Sequence, residues 1–159
     1  TEFTAFLDGL IIKNRGPKDD VKRESAPSLN NNIIFNKLKI ALNLKAEEAT
    51  IQLSKNAGLK SLVSAIKFKC DLYQKSNAAI EGIAEKATIR LDNNSVFTGT
   101  KFTMKDANIT AESYSTGSIL AETTISIAVG DKAELSLFGN PTIQLTRFSE
   151  EAKLIKKLK

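Results

Sequence analysis

The chain holds 159 residues and a net charge of +5, from 23 basic and 18 acidic side chains. That length supports one domain with a real core, and an apolar share of 42% excludes a disordered chain. Histidine is absent, which removes Ser-His-Asp and Cys-His catalysis and the commonest metal ligand.

Tryptophan is absent as well, so the core must be built from Ile, Leu, Val and Ala. Such small aliphatic side chains suit a thin, layered interior. Both signs of charge are spread along the chain, as on a solvated surface. A basic patch with interleaved aromatics, the mark of a nucleic-acid protein, is missing, and no nucleic-acid partner is expected. No apolar run is long enough to span a membrane as a helix. Thr1 is not a Met, and a signal peptide is expected to have been trimmed from before it.

In chain order, "TEFTAFLDGLIIKN" has the composition of one or two strands. "RGPKDDVKRESAPSLNNN" follows, rich in Pro, Ser, Asn and charge, and predicts a mobile loop near Gly16–Asn32. From Ile33 the texture is uniform. "LKIALNL", "ATIQLS", "AIKFKCDLY", "ATIRLD", "KFTMKDANITAE" and "TTISIAV" alternate apolar and polar residues, the signal of a half-buried strand. Only "AEEA" and "SEEAKLIKK" have helical composition. The expected layout is a single domain over 1–159, with an N-terminal strand and mobile loop in 1–32 and the repeating part in 33–159.

Cys70, the one cysteine, stands between Phe68 and Leu72 at period two. It points to their side and reads as a small buried hydrophobe, not a nucleophile. One cysteine can form no intrachain disulfide.

The second half repeats. "ATIRLDNNSVFTG" from Ala87, "ANITAESYSTGSILA" from Ala107, "TISIAVGDKAELSLFG" from Thr124 and "IQLTRFSEEAKLIKK" from Ile143 share one plan, at a spacing of about 18–20 residues. Each is a short alternating strand, a polar corner and a second strand. "SNAAIEGIAE" from Ser76 matches the second half of such a unit. The corners hold Asn93, Asn94 and Ser95, then Ser115, Thr116 and Gly117, then Gly130 and Asp131, then Ser149 and Glu150. These residue types tolerate left-handed backbone or bond their own main chain. One such unit cannot bury its apolar side alone, whereas stacked units share a narrow core. The fold class is therefore all-β, a parallel β-helix of short rungs, with a β-sandwich as the alternative that the repeat disfavours. Gly139-Asn140-Pro141 falls between the third and fourth copies and is expected to hand the chain to the last rung.

"AELSLFGNPTIQLTRFSEEAKLIKK", with the rungs before it, resembles the head GIN domain of auto-transporter adhesins, a family common in Bacteroidetes. Gly139, Asn140 and Pro141 match the family's Gly-Asn-Pro turn. Ser149, Glu150, Glu151, Ala152, Lys153, Leu154, Ile155 and Lys156 match its final corner and rung, and "NSVFTG" and "STGSILA" match inner corners. The likeness is best over 78–157 and looser over 38–74, with "TEFTAF" similar to the opening strand. The family's Ser-Gly corners are replaced here by "NNS", "STG" and "SEE". The resemblance implies a right-handed parallel β-helix on the cell envelope or outside the cell. It implies no particular biochemical activity.

Chemistry-bearing residues are sparse. "GTKFTMKD" lacks the spacing of a phosphate loop, no calcium repeat is present, and no cofactor or metal is expected. Asp19-Asp20, Glu47-Glu48 and Glu150-Glu151 are adjacent pairs, and neighbours on a strand point to opposite faces. Asp92, Glu112 and Asp131 lie near equivalent places in successive repeats and form a candidate acidic ladder, against the plainer reading of solvated corner residues. Lys86, Arg90, Lys101 and Lys105 are available as bases without a spacing that singles one out. "KLIKKLK" reads as a final rung and a charged end that protects an open sheet edge. Asn93-Asn94-Ser95 and Asn108-Ile109-Thr110 fit glycosylation sequons that a corner-rich sequence also generates by chance.

The expected function is a non-enzymatic, adhesin-like envelope or surface protein that binds a polymer or surface component through an exposed sheet face. The alternatives are a carbohydrate-active enzyme with stacked carboxylates and a self-assembling structural module. The expected partners are a glycan, a cell-surface protein or a second copy of the chain.

Overall fold

A computed structural model describes residues 2–7, 10–15, 30–36, 39–149 and 151–157, with side chains from Lys45 onward. Of the loop expected near Gly16–Asn32, residues 16–29 lie outside the described residues, as do Asp19, Asp20 and Glu150. Asn30, Asn31 and Asn32 already belong to a strand.

Alternation yields strands wherever it was read. β1 (Glu2–Leu7) pairs antiparallel with β2 (Leu10–Arg15), and β2 pairs antiparallel with β3 (Asn30–Asn36). From β3 onward every pairing is parallel. β4 (Lys39–Ser54), β5 (Gly58–Leu72), β6 (Asn77–Leu91), β7 (Val96–Ala111) and β8 (Thr116–Val129) stack in chain order. β9 (Glu134–Phe138) and β10 (Thr142–Phe148) lie on the first and second halves of β8, and β11 (Lys153–Lys156) lies on β9. The result is a parallel β-solenoid of about 6 turns. No helix occurs among the described residues. "AEEA" lies inside β4, and Lys153–Lys156 of "SEEAKLIKK" form β11. Their helical composition is overridden because each must continue a ladder set by the rung beside it.

Each rung turns twice. One turn is a corner of four residues whose two central members have left-handed backbone: Lys55-Asn56, Gln74-Lys75, Asn93-Asn94, Ser113-Tyr114 and Asp131-Lys132. These pairs recur every 18–20 residues. In the first four pairs the second member's N–H donates to the first member's carbonyl one rung on, as in Asn56 to Gln74 at 3.0 Å and Lys75 to Asn93 at 2.9 Å. The residue that closes each corner turns inward and is small and buried: Ala57, Ser76, Ser95, Ser115, Ala133 and Ala152. Ser76 and Ser115 donate their hydroxyls to the carbonyls of Leu53 and Leu91. The second corner expected from sequence is thus shifted. Ser115 ends it, while Thr116 and Gly117 already belong to β8.

The other turn is a bend within the long strands, where the alternation slips by one residue. Ala46, Ala65 and Ala84 are buried, two exposed residues follow, and Ala49, Phe68 and Ala87 are buried in turn. Glu47 and Glu48 straddle that slip, so both face solvent and do not point to opposite faces. Gly139-Asn140-Pro141 occupies the equivalent bend between β9 and β10, in the middle of a rung. A further left-handed corner, containing Glu151, precedes β11. Gly139 is at φ 88°, and a Cβ there would lie 2.1 Å from the Ala121 carbonyl oxygen.

Between corner and bend, the two halves of each rung pack their inward side chains together. Ile51, Cys70, Ile89, Ile109 and Ile127 form one buried column on the second half. On the first half, Val63, Gly82 and Phe102 are in register. Phe102 packs edge-on against Phe68 across the interior, with centroids 5.0 Å apart. Gly82 stands beside Phe102 at φ 115°, and its Cβ would meet the Val63 carbonyl oxygen at 1.9 Å.

Gly82→Ala is therefore expected to cost about 2–4 kcal/mol in urea unfolding, since backbone and not a flexible side chain blocks the new methyl. Gln74→Asn is expected to do the reverse and raise stability by about 1 kcal/mol, because asparagine tolerates the left-handed region that glutamine resists.

Candidate functional site

The second halves of β4 to β8 present a flat outward face of three columns. The middle column reads Thr50, Lys69, Thr88, Asn108, Ser126, continued by Gln144 of β10. Every member can donate a hydrogen bond, and none is acidic. The column toward the bend reads Glu48, Lys67, Lys86, Asp106, Thr124. The one toward the corner reads Gln52, Asp71, Arg90, Thr110, Ala128. Parallel, in-register stacking generates this regularity: it places equivalent residues of the repeat side by side at the usual strand spacing of about 4.8 Å.

Charges on this face are unevenly paired. Lys67 Nζ lies 3.0 Å from Glu48 Oε1, and Lys69 Nζ lies 3.8 Å from Asp71. Asp106 accepts the Thr124 hydroxyl at 2.7 Å. Arg90 stacks over the Tyr73 ring, 5.9 Å from its centroid. Lys86 makes no ion pair among the described residues. Around Lys67, Lys69 and Lys86 lies a shallow depression of about 350 Å³, also lined by Glu48, Thr50 and Thr88.

The candidate acidic ladder is rearranged. Asp92 and Glu112 hold the same place in successive corners, each donating its N–H to the end of the preceding strand, at Leu72 and Leu91. Gly130 holds that place in the next corner, and Asp131 sits one residue later, in the left-handed pair. Both ladder carboxylates have structural partners. Asp92 Oδ1 accepts the Asn93 N–H at 2.8 Å, and Glu112 pairs with Arg147. Arg147 can reach across because Ala128 and Gly130 leave room beneath it, its guanidinium lying 3.1 Å from where a Gly130 Cβ would be.

Of the candidate bases, Lys101 and Lys105 lie on the first half of their rung and at the bend, and each pairs with a glutamate one rung away: Glu81 at 3.6 Å and Glu85 at 3.1 Å. Lys86 and Arg90 alone share the flat face. Among the described residues, no group of acidic and cysteine side chains is placed to hold a metal ion. Cys70 is fully buried, and burial, reinforced by the charge of Asp71, pushes its thiol well above its ordinary value of 9.0.

The family described as "Putative auto-transporter adhesin, head GIN domain" matches residues 23–141. The chain belongs to this family. Its name points to an adhesin-like domain at the surface or outside the cell. No curated protein and no solved structure matches the chain. In this GIN domain the matched segment contains the whole flat face of β4 to β8 and ends at Pro141, before β10. Among the described residues no helix is long and apolar enough to cross a membrane.

Sequence reading missed the flat face because it depends on register between rungs. Its signal was nonetheless present: the small buried residues at 46, 49, 65, 84 and 87 mark the bend at a constant interval and define which residues follow it outward.

The thiol supplies a check on this packing. Cys70 should not react with an aromatic disulfide reagent until the chain unfolds. A folded thiol pKa above the unfolded one stabilises the fold fully below pH 9, and that contribution declines as pH rises past the unfolded value. Comparing wild type with Cys70→Ala should show an extra loss in wild type approaching about 1.4 kcal/mol per pH unit above pH 9.

Proposed function

We propose that this GIN domain is a non-enzymatic, adhesin-like binding module of the cell envelope or surface, which holds a repeating polymer along its flat sheet face. The observation that carries the reading is the middle column, Thr50, Lys69, Thr88, Asn108, Ser126, with a hydrogen-bonding side chain on every rung. A polymer whose units repeat near the rung spacing can make the same contact several times, so weak single contacts add up through multivalency. The structural engagement of Asp92 and Glu112 supports a binding role over hydrolysis. A glycan array and pull-down from envelope extracts should give a ligand whose capture falls several-fold in Thr88→Ala/Asn108→Ala. Incubation with bound glycan should release no new reducing ends. An empty array together with an empty pull-down overturns the reading.

A second reading, self-association with another copy of the chain, is favoured by the last rung. Ile143, Leu145 and Phe148 continue the inward columns, yet each is at least 40% exposed. Light scattering that rises with concentration in wild type but not in Leu145→Lys would support it. A strict monomer at high concentration dismisses it.

A further inference from the structure

We infer that the polymer is an acidic polysaccharide, held by Lys67, Lys69 and Lys86; this deepens the proposed function and rests on it. On the flat face, β5 and β6 together turn out Lys67, Lys69, Lys86 and Arg90 against one acid, Asp71. Their neighbours β4 and β7 turn out one acid each, Glu48 and Asp106, with no cation. Positive charge is thus concentrated on two adjacent rungs.

One member of the cluster departs from a cross-rung pairing that recurs along the solenoid and that Lys67 keeps with Glu48. Elsewhere lysines meet glutamates one rung away: Glu81 with Lys101, Glu85 with Lys105, Lys132 with Glu151 and Glu134 with Lys153. Here Lys67 and Lys86 are directly in register, lysine beside lysine. Like charges in facing positions disfavour a sheet. Lys86's other neighbour in the column, Asp106, is bonded to Thr124 and makes no ion pair with it. The fold therefore carries Lys86, without an ion pair, next to Lys67, whose partner is Glu48, over a depression that Thr50 and Thr88 line with hydroxyls. An anion there would relieve the repulsion and accept hydrogen bonds from the same groups.

The spacing selects the kind of anion. Lys67 and Lys86 are one strand spacing apart, about 4.8 Å. Sugar rings in an extended glycan advance by a similar distance, so a carboxylate or sulfate turned toward the sheet can sit between the two lysines. Glu48, Asp71 and Asp106 flank the patch and confine a bound anion to the two cationic rungs. The three outward columns of β4 to β8 also contain no aromatic ring on which a base could stack. Threonine and asparagine suit the hydroxyls of a sugar.

The test is binding of the full chain to polygalacturonate, dextran sulfate, uncharged dextran and single-stranded DNA, by calorimetry at low and high salt. Polygalacturonate or dextran sulfate should bind and dextran should not, and the two acidic probes tell carboxylate from sulfate preference. Lys67→Gln/Lys86→Gln should weaken acidic binding about tenfold at low salt, and added salt should weaken wild type likewise. Lys101→Gln, on the other half of the rung, should change nothing. The substituted lysines are exposed, and an unchanged thermal midpoint confirms the fold.

Equal binding of dextran and the acidic glycans, or undiminished acidic binding in the double variant, overturns the acidic assignment. Capture of a neutral glycan that Thr88→Ala/Asn108→Ala abolishes also overturns it but leaves the binding face standing. DNA binding as tight as glycan binding and lost with the same lysines overturns it in favour of a general polyanion site. Failure of every glycan, with an empty envelope pull-down, removes both readings.

Discussion

The backbone ladder between rungs is the constraint on which the rest depends. A rung of this solenoid has no hydrogen bonds of its own beyond those that close its corner; nearly all its polar backbone groups are satisfied by the rungs on either side. That fixes the register to within one residue, because a slip would turn every inward side chain out. The left-handed corner is held by the same bonds. Lysine, glutamine and tyrosine adopt this backbone reluctantly, yet Lys55, Gln74, Lys75 and Tyr114 all do so, since the second residue of each of these pairs donates its N–H to the neighbouring corner. Local preference is overruled by a ladder that leaves no other geometry for the turn.

Interior packing follows from that stacking. Columns of like side chains run along the solenoid, as in Ile89, Ile109 and Ile127. Gly82 stands where a Cβ would strike the Val63 backbone, and Ala or Ser closes every described corner. Cross-rung ion pairs, from Glu48 with Lys67 to Glu134 with Lys153, are the exposed counterpart of the same arrangement. They contribute little individually. Their value to the functional reading is as a background, against which the in-register pair Lys67 and Lys86 stands out.

Surface chemistry thus becomes a consequence of repetition. A hydroxyl, amide or ammonium placed outward once is placed outward again on the next rung, about a strand spacing away. Such a lattice offers the same contact repeatedly along one direction. The corner carboxylates show the division of labour: Asp92 shapes its own turn, and Glu112 ties Arg147 across a gap left by Gly130.

Alternation, the recurrence near every 19 residues and the aliphatic composition were enough to establish an all-β solenoid and the inward side of Cys70, because both depend on the local period of two and on units too small to bury their own apolar side. The Gly-Asn-Pro turn was legible as a turn, though not as the mid-rung bend, since only the pairing of β9 and β10 with β8 shows which turn it is. Register was beyond the sequence. It decided that Asp131 falls one residue outside the line of Asp92 and Glu112, that Glu47 and Glu48 both face solvent, and that Lys67, Lys69 and Lys86 share one face. Those residues lie up to a full rung apart along the chain, and only backbone hydrogen bonding between rungs brings them side by side.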